Sequence, residues 1–421
     1  MGFLLYWATQ MDTMTIDLGI VYAFLFTSLY FEVFLLASFI ERRLRGTQAP
    51  LPRNAELPSV AIVVPCFNEE KTIASTVHSL LTLEYAPEKL EIIVVDDGST
   101  DQTLEIAQQF EQDPRVRIFH KENGGKHTAM NFALAHTPAD LIGCLDADSV
   151  VESGALLAMV PVFNNPMVAA ATPGIHVREP RTILQHMQNV EYRLSVFNRF
   201  ALASLGSAFI TPGPFSLFRT RIIKQLGEWR HGHATEDMEM ALRIQDAGFL
   251  IANVPEAIVH TGTPRTFPAL FRQRVRWTYG WLLNAIDYRH MFGNREYGNL
   301  GLIILPSAII SIFAGIYFFA RIVFFSIRAI IASIERISAT GVYPHASLDL
   351  FYFNTSALWF LIYMSVALVF ALLCAGTLIG TESRLPPKAT PLFLLFYSFL
   401  VPLWLSVAVF RAAFRTGVRW R

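Results

Sequence analysis

The residues in this sequence best placed to do chemistry are Asp146 and Asp148, two carboxylates one residue apart in Cys144-Leu145-Asp146-Ala147-Asp148. They close an apolar run that begins at Leu141. A strand ending this way sets hard oxygen ligands at a sheet edge, where a divalent cation and a diphosphate can meet. An acidic pair also fits a loop or a cap, so its neighbours decide the reading. Glu69 follows Pro65-Cys66-Phe67-Asn68, and Asp96-Asp97 precede Gly98-Ser99. Lys126 follows Gly124-Gly125, glycines that let the backbone turn tightly and bring a point charge to a phosphate. Taken singly, Asp96 and Asp97 also read as helix caps and Lys126 as a solvated surface lysine. Thr235-Glu236-Asp237 fits a helix start, with Thr235 as cap, acids in the first turn and Gly248 just past the end. Such a start would also position whatever chemistry the acids perform.

The elements that must hold these groups alternate. Residues 60–65 are a short, fully apolar, β-branched run, the pattern of a strand buried on both faces of a parallel sheet, and 91–95, which open on Glu91, read as a second such strand. Residues 116–119 read as a third strand and 141–145 as a fourth. A helix opens at Asn68-Glu69-Glu70 and continues through Leu81, and residues 102–110 read as another. Strands alternating with helices give an α/β sheet whose ligands lie beyond the carboxyl ends of its strands. Glu69, Asp97 and Asp146/Asp148 all fall at such ends, so one crevice should collect them. Residues 166–191 read as a further strand and helix, and His176 and His186 there lack metal-ligand spacing.

Composition places this core in a membrane protein, since 53% of the 421 residues are hydrophobic and only 16% are charged. Zero net charge and no long basic run leave no nucleic-acid footprint. Cys66, Cys144 and Cys374 are far apart, without pairs or metal spacing, which fits a reduced compartment. Residues 18–40 are long enough, at about 1.5 Å per residue, to cross a hydrocarbon core of roughly 30 Å. No Lys or Arg precedes them, which marks an anchor rather than a cleaved signal. Glu41-Arg42-Arg43-Leu44-Arg45 follows, so the positive-inside rule puts the N-terminus outside and the next domain in the cytoplasm. Glu32, inside this segment, fits either a functional acid or a helix–helix hydrogen bond. Residues 46–58 read as a linker, and 300–325, 357–379 and 392–410 as three more spans. Four crossings would leave Arg411, Arg415, Arg419 and Arg421 outside, against the charge rule. The competing count hides a second crossing or a re-entrant piece in residues 300–337, and four spans is preferred.

Six motifs in fixed order then carry a resemblance. Val63-Val64-Pro65-x-x-Asn68-Glu69, Val94-Val95-Asp96-Asp97-Gly98-Ser99-Thr100-Asp101, Asn123-x-Gly125-Lys126-x-x-Ala129-x-Asn131, Asp146-Ala147-Asp148, Thr235-Glu236-Asp237 and Gln273-Arg274-Val275-Arg276-Trp277 occur as in family 2 glycosyltransferases. The last three resemble the membrane-bound synthases of cellulose, chitin, hyaluronan and poly-N-acetylglucosamine. The match runs from Ser59 to Trp281. It implies a fold: an α/β, GT-A-type (Rossmann-like) glycosyltransferase domain over 59–265, an interfacial amphipathic segment over 266–298, and transmembrane regions over 1–45 and 299–421. The interleaved cations and aromatics of residues 267–281 independently suit a helix at a membrane surface. The location implied is a multi-pass protein of the inner or plasma membrane with its catalytic domain in the cytoplasm.

The resemblance also implies roles. Glu69 and Asp97 hold uridine and ribose, Lys126 and Arg276 meet the diphosphate, and Asp146 belongs to the same donor site. Asp148, with Asp146, ligates Mg²⁺ or Mn²⁺. Asp237 is the general base of a single inverting displacement. Glu236, Gln273, Trp277 and Gly213 fall on the acceptor side, Trp277 by stacking on a pyranose. Two prolines flank Gly213, a departure from the family's usual small-residue run that leaves the acceptor open. The implied activity moves a sugar, N-acetylglucosamine first, from a UDP-sugar to a growing polysaccharide, with the membrane helices available for export. Two other readings stand beside it: a single transfer to a membrane lipid, and an inactive scaffold that binds nucleotide-sugar. The intact acids at 146, 148 and 237 count against the scaffold. The motifs name no accessory subunit.

Overall fold

The computed structural model describes residues 2–44, 57–342, 355–380 and 386–416. Most of the expected linker therefore lies outside the described residues, as do Arg419 and Arg421. After a long N-terminal helix, α1 (Gly2–Leu44), eight strands form one sheet: β1 (Val60–Cys66), β2 (Leu90–Asp96), β3 (Val116–His120), β4 (Leu141–Cys144), β5 (Ser149–Val151), β6 (Val168–Val177), β7 (Ser216–Arg219) and β8 (Leu250–Thr261). Their order is β3-β2-β1-β4-β7-β6-β8-β5. β1 pairs in parallel with β2 and β4, and β2 with β3, so these four carboxyl ends point one way. β7 runs antiparallel to β4 and to β6, which makes the sheet mixed.

The β-branched runs explain the arrangement, because a parallel strand must bury both faces. Val60, Ile62 and Val64 pack on one side with Val77 and Leu80 of α2 (Ile73–Leu81). Ala61 and Val63 pack on the other with Ala129, Met130 and Ala133 of α4 (Lys126–Ala135), beyond the short α3 (Thr103–Gln108). The four expected strands thus hold. α2 starts at Ile73 rather than Asn68, since Asn68 takes a left-handed φ of 56° and residues 69–72 form a turn. α5 (Ala155–Met159), α6 (Ile183–Ser204), α7 (Thr220–Gln225), α8 (Glu236–Asp246) and α9 (Phe267–Asp287) complete the sheet domain.

Among the described residues, three helices are long and apolar enough to cross a membrane: Gly19–Glu41, Leu300–Thr340 and Ala357–Ile379. A fourth span exists if Thr390–Tyr397 and Phe399–Phe414, bent by 45°, count as one. In order, this region comprises α10 (Leu305–Thr340), α11 (Ala357–Gly380), α12 (Thr390–Leu392) and α13 (Ser398–Phe414). Residues 305–340 are one uninterrupted helix, so no second crossing or re-entrant turn is folded into them. The apolar helices dock on the sheet domain through α6 and α9. Phe197 and Ala201 of α6 pack with Leu35 and Phe39 of α1 and Leu372 and Ala375 of α11. Leu270 and Val275 of α9 pack with Trp404 and Ala408 of α13. α9 is therefore covered on its apolar face by protein.

Candidate active site

The loops after β1 and β2 are laced together. Asn68 Oδ1 accepts the Thr100 N–H (2.8 Å), the Asn68 N–H donates to Ser99 Oγ (2.9 Å), and the Glu69 N–H donates to Thr103 Oγ1 (2.7 Å). Asp96 and Asp97 are buried, and neither caps a helix. Asp96 pairs with His120 Nδ1 (2.6 Å). Asp97 accepts the N–H groups of Gly124 (3.0 Å) and Gly125 (2.8 Å) and pairs with Lys121 (2.5 Å). Both Asp97 oxygens thus hold the glycine turn, and that turn delivers Lys126 at the start of α4.

Lys126 is no surface lysine. Its side chain is 15% exposed, with Nζ 2.5 Å from Asp146 Oδ1 and 3.5 Å from Glu236 Oε1. Burial opposes its charge, but Asp146 and Glu236 outweigh that and hold the ammonium well above the usual lysine range. Gly213 lies against this pair, and a Cβ there would press on Lys126 Nζ and come within 2.7 Å of both Asp146 oxygens. Beside Lys126 opens a cavity of about 350 Å³ lined by residues 123–127, His231 and Glu236.

Asp148 is tucked under β8, where it accepts hydrogen bonds from Ser149 Oγ (3.1 Å) and Thr261 Oγ1 (3.4 Å). Burial, then the charges of Asp146 and Glu69, push its carboxyl up to about 6. Such crowding of negative charge is what a divalent cation would relieve. Among the described residues no three His, Cys, Asp or Glu side chains gather as a metal cage. Two carboxylates suffice for a cation that takes its other oxygens from phosphate and water.

Asp237 is the second residue of α8, and burial, then its neighbour Glu236, push its carboxyl up to about 7 against the pull of Lys126 and Arg276. Thr211 donates through Oγ1 to the Asp237 carbonyl (2.7 Å). The expected helix forms and Gly248, at φ 79°, follows its end. Thr235, however, makes no side-chain cap. Its hydroxyl instead donates to the Gly232 carbonyl (2.9 Å) and accepts from Asn284 (3.0 Å).

On α9, Arg276 Nη1 donates to the Ala234 carbonyl (3.0 Å). Arg274 pairs with Glu191 (2.6 Å) and lies over the Trp277 ring, 4.3 Å from its centroid. Among the described residues, Gln273 Oε1 is buried without a partner. The fold therefore gathers Glu69, Lys126, Asp146, Asp148, Gly213, Glu236, Asp237 and Arg276 around one crevice, with Asp97 behind it. No hydrogen bond ties Gln273 or Trp277 to the acids among the described residues. His127 and His231, rings 5.5 Å apart in the cavity wall, escaped the sequence reading because neither sits at a motif's charged position.

Residues 58–280 match the family described as glycosyltransferase like family 2. Among curated proteins, the chain is 33% identical over 228 residues to the poly-beta-1,6-N-acetyl-D-glucosamine synthase of Staphylococcus epidermidis, covering 53% of this chain and 55% of that one. It is 31% identical over 260 residues to the synthase of the same name from Staphylococcus aureus strain COL, covering 61% and 63%. The matches thus span less than two thirds of those relatives. Among solved structures, the mannosyltransferase PcManGT from Pyrobaculum calidifontis, in complex with GDP-Man and Mn²⁺, superposes with a TM-score of 0.57 over 94% of this chain and 98% of that one, at 18% identity. That likeness bears on the fold, which is GT-A-like with a mixed sheet. By the match over more than half its length, this chain belongs to glycosyltransferase family 2.

Proposed function

We propose that the protein transfers N-acetylglucosamine from UDP-N-acetylglucosamine to a growing polysaccharide, in a metal-dependent inverting displacement at the cytoplasmic face of a membrane. The observation that carries this reading is the bridging of Asp146 and Glu236 by the partly buried Lys126, with Asp148 and Asp237 on either side. Lys126 and Arg276 receive the diphosphate, and Asp97 serves the nucleotide by holding the turn that presents Lys126. Glu69 faces the ribose and uridine. Asp146 and Asp148 would hold Mg²⁺ or Mn²⁺, which would offset charge on the departing UDP. Asp237 takes the proton of the acceptor hydroxyl as that oxygen attacks, and no covalent intermediate is needed. Glu236, Gly213, Gln273 and Trp277 line the acceptor side. The relatives' name supports the sugar and the polymer, and the mannosyltransferase complex supports a nucleotide-sugar with a divalent cation.

Purified protein in detergent, given Mg²⁺ or Mn²⁺ and in turn UDP-N-acetylglucosamine, UDP-glucose, UDP-galactose and UDP-glucuronate, tests the reading. UDP release with a high-molecular-weight product from the first donor is expected. No release with any donor overturns it, and a product extracted into organic solvent identifies a lipid acceptor instead.

Gly213→Ala gives a smaller effect. The new Cβ meets the flexible end of Lys126, which can shift, but only by loosening its pairing with Asp146. The expected result is a donor KM raised about tenfold, or about 1.4 kcal/mol, with little change in kcat.

A further inference from the structure

We propose that one stripe of α9, made of Arg276, Gly280, Asn284 and Asp287, positions the base by gripping the three-residue turn that precedes it. The proposal rests on reading Asp237 as the base. Gly232, His233 and Ala234 have φ of 53°, 52° and 67°, three successive left-handed residues of which only one is glycine. L-residues with a Cβ avoid this region, and such a run persists only where its surroundings over-determine it. Here three of the side-chain holds come from a single helix. Positions 276, 280, 284 and 287 are spaced by four, four and three, so they share one helix face.

Each contributes a separate hold. Asn284, fully buried, donates through Nδ2 to the Gly232 carbonyl and to Thr235 Oγ1, both at 3.0 Å. Arg276 donates to the Ala234 carbonyl at 3.0 Å, and His233 Nε2 lies 2.8 Å from Asp287 Oδ2. Gly280 makes room for the Thr235 side chain, since a Cβ there would come within 2.6 Å of Thr235 Cγ2. The turn hands the chain directly to Thr235 and α8, so its placement sets that of Glu236 and Asp237. Trp277 neighbours Arg276 on the same helix, which puts the proposed acceptor platform and the hold on the base on one rigid element. A misplacement of about 1 Å in reacting groups can cost on the order of 100-fold in rate.

The test uses the full chain in detergent. Asn284→Ala is expected to lower kcat on the order of 100-fold, with donor KM and Mn²⁺-dependent UDP binding unchanged. His233→Gly with Ala234→Gly, placed in that background, should recover much of the lost kcat, because glycine accepts the left-handed turn without help. A merely structural role for Asn284 would move stability and donor binding together and would not respond to the glycines. A wild-type kcat in folded Asn284→Ala, or a loss shared by donor binding and unrescued, overturns the proposal. Should Asn284→Ala fail to fold, Asp287→Ala at its exposed site serves: kcat is expected to fall several-fold at constant donor KM, and an unchanged kcat overturns the idea. Asp237→Asn separates the two claims. If it stays active the base assignment fails; if it is inactive while Asn284→Ala is normal, only the grip fails.

Discussion

Replacing Asp237 with Asn is expected to cut sugar transfer by about 10³-fold while UDP binding persists. General-base assistance contributes on the order of 10²–10⁴ in rate, and 10³ corresponds to about 4 kcal/mol of barrier. The amide keeps the size and most of the hydrogen bonding of the carboxylate, so the turn after Thr235 should stay in place. What disappears is the ability to accept a proton. The pH profile makes the assignment sharper. Burial, with the Glu236 charge beside it, raises the Asp237 carboxyl to about 7. A base works only when ionised, so kcat should rise with pH through a limb near neutrality and fall about tenfold per unit below it. Glu236→Gln removes a neighbouring negative charge, which eases ionisation, so the limb should move to lower pH. Its loss from the residual rate of Asp237→Asn is the matching control. Initial rates of UDP release from about pH 5 to about pH 9 read all three, and a limb that survives in Asp237→Asn would assign it to another group.

Much of this site was legible in the chain because its strands are buried on both faces. Runs such as Val60–Val64 and Ile92–Val95 have no polar side to advertise, and that absence marks a parallel strand. Once the strands are found, their carboxyl ends place Glu69, Asp97 and Asp146 without further information. The short partners β5 and β7 left no comparable trace, since three or four mixed residues have no period to read. Asp97 was found, but its work was not: both oxygens go to the glycine turn, a fact of backbone geometry. Thr235 looked like a cap because Thr before acids is a common helix start. Asn284 claims its hydroxyl from 49 residues away, and no local rule anticipates that. The left-handed run at Gly232–Ala234 was likewise invisible, since His and Ala carry no preference for it. In the apolar region, the competing count hid a second crossing or a re-entrant piece in residues 300–337, which hold Arg321 and Arg328. They lie instead over the rings of Phe325 and Phe324, at 4.4 and 5.9 Å, and the helix runs on to Thr340.

Asp148→Asn should separate stability from activity in opposite directions. In the metal-free protein Asp148 is a partly buried carboxyl near Asp146 and Glu69, raised to about 6. An ordinary Asp in an unfolded chain titrates near 3.9. With the folded value raised, the stability tied to the neutral form is fully present below about 3.9 and is lost as pH rises through about 6. Near pH 7 the ionised carboxylate therefore costs about 3 kcal/mol of fold stability. Asn carries no charge, so the metal-free variant should melt higher than the wild type near neutral pH, and no higher below about pH 4. Mn²⁺ should reverse the order. In the wild type a bound cation converts the repulsion among the carboxylates into attraction, and the melting temperature should climb with Mn²⁺ concentration. The variant should barely respond, and its transfer rate should drop to background. A thermal-shift titration at two pH values, run beside UDP-release assays, measures both halves. A variant that melts lower without metal, or that still transfers sugar in a Mn²⁺-dependent way, would leave Asp148 as a structural acid at the end of its loop.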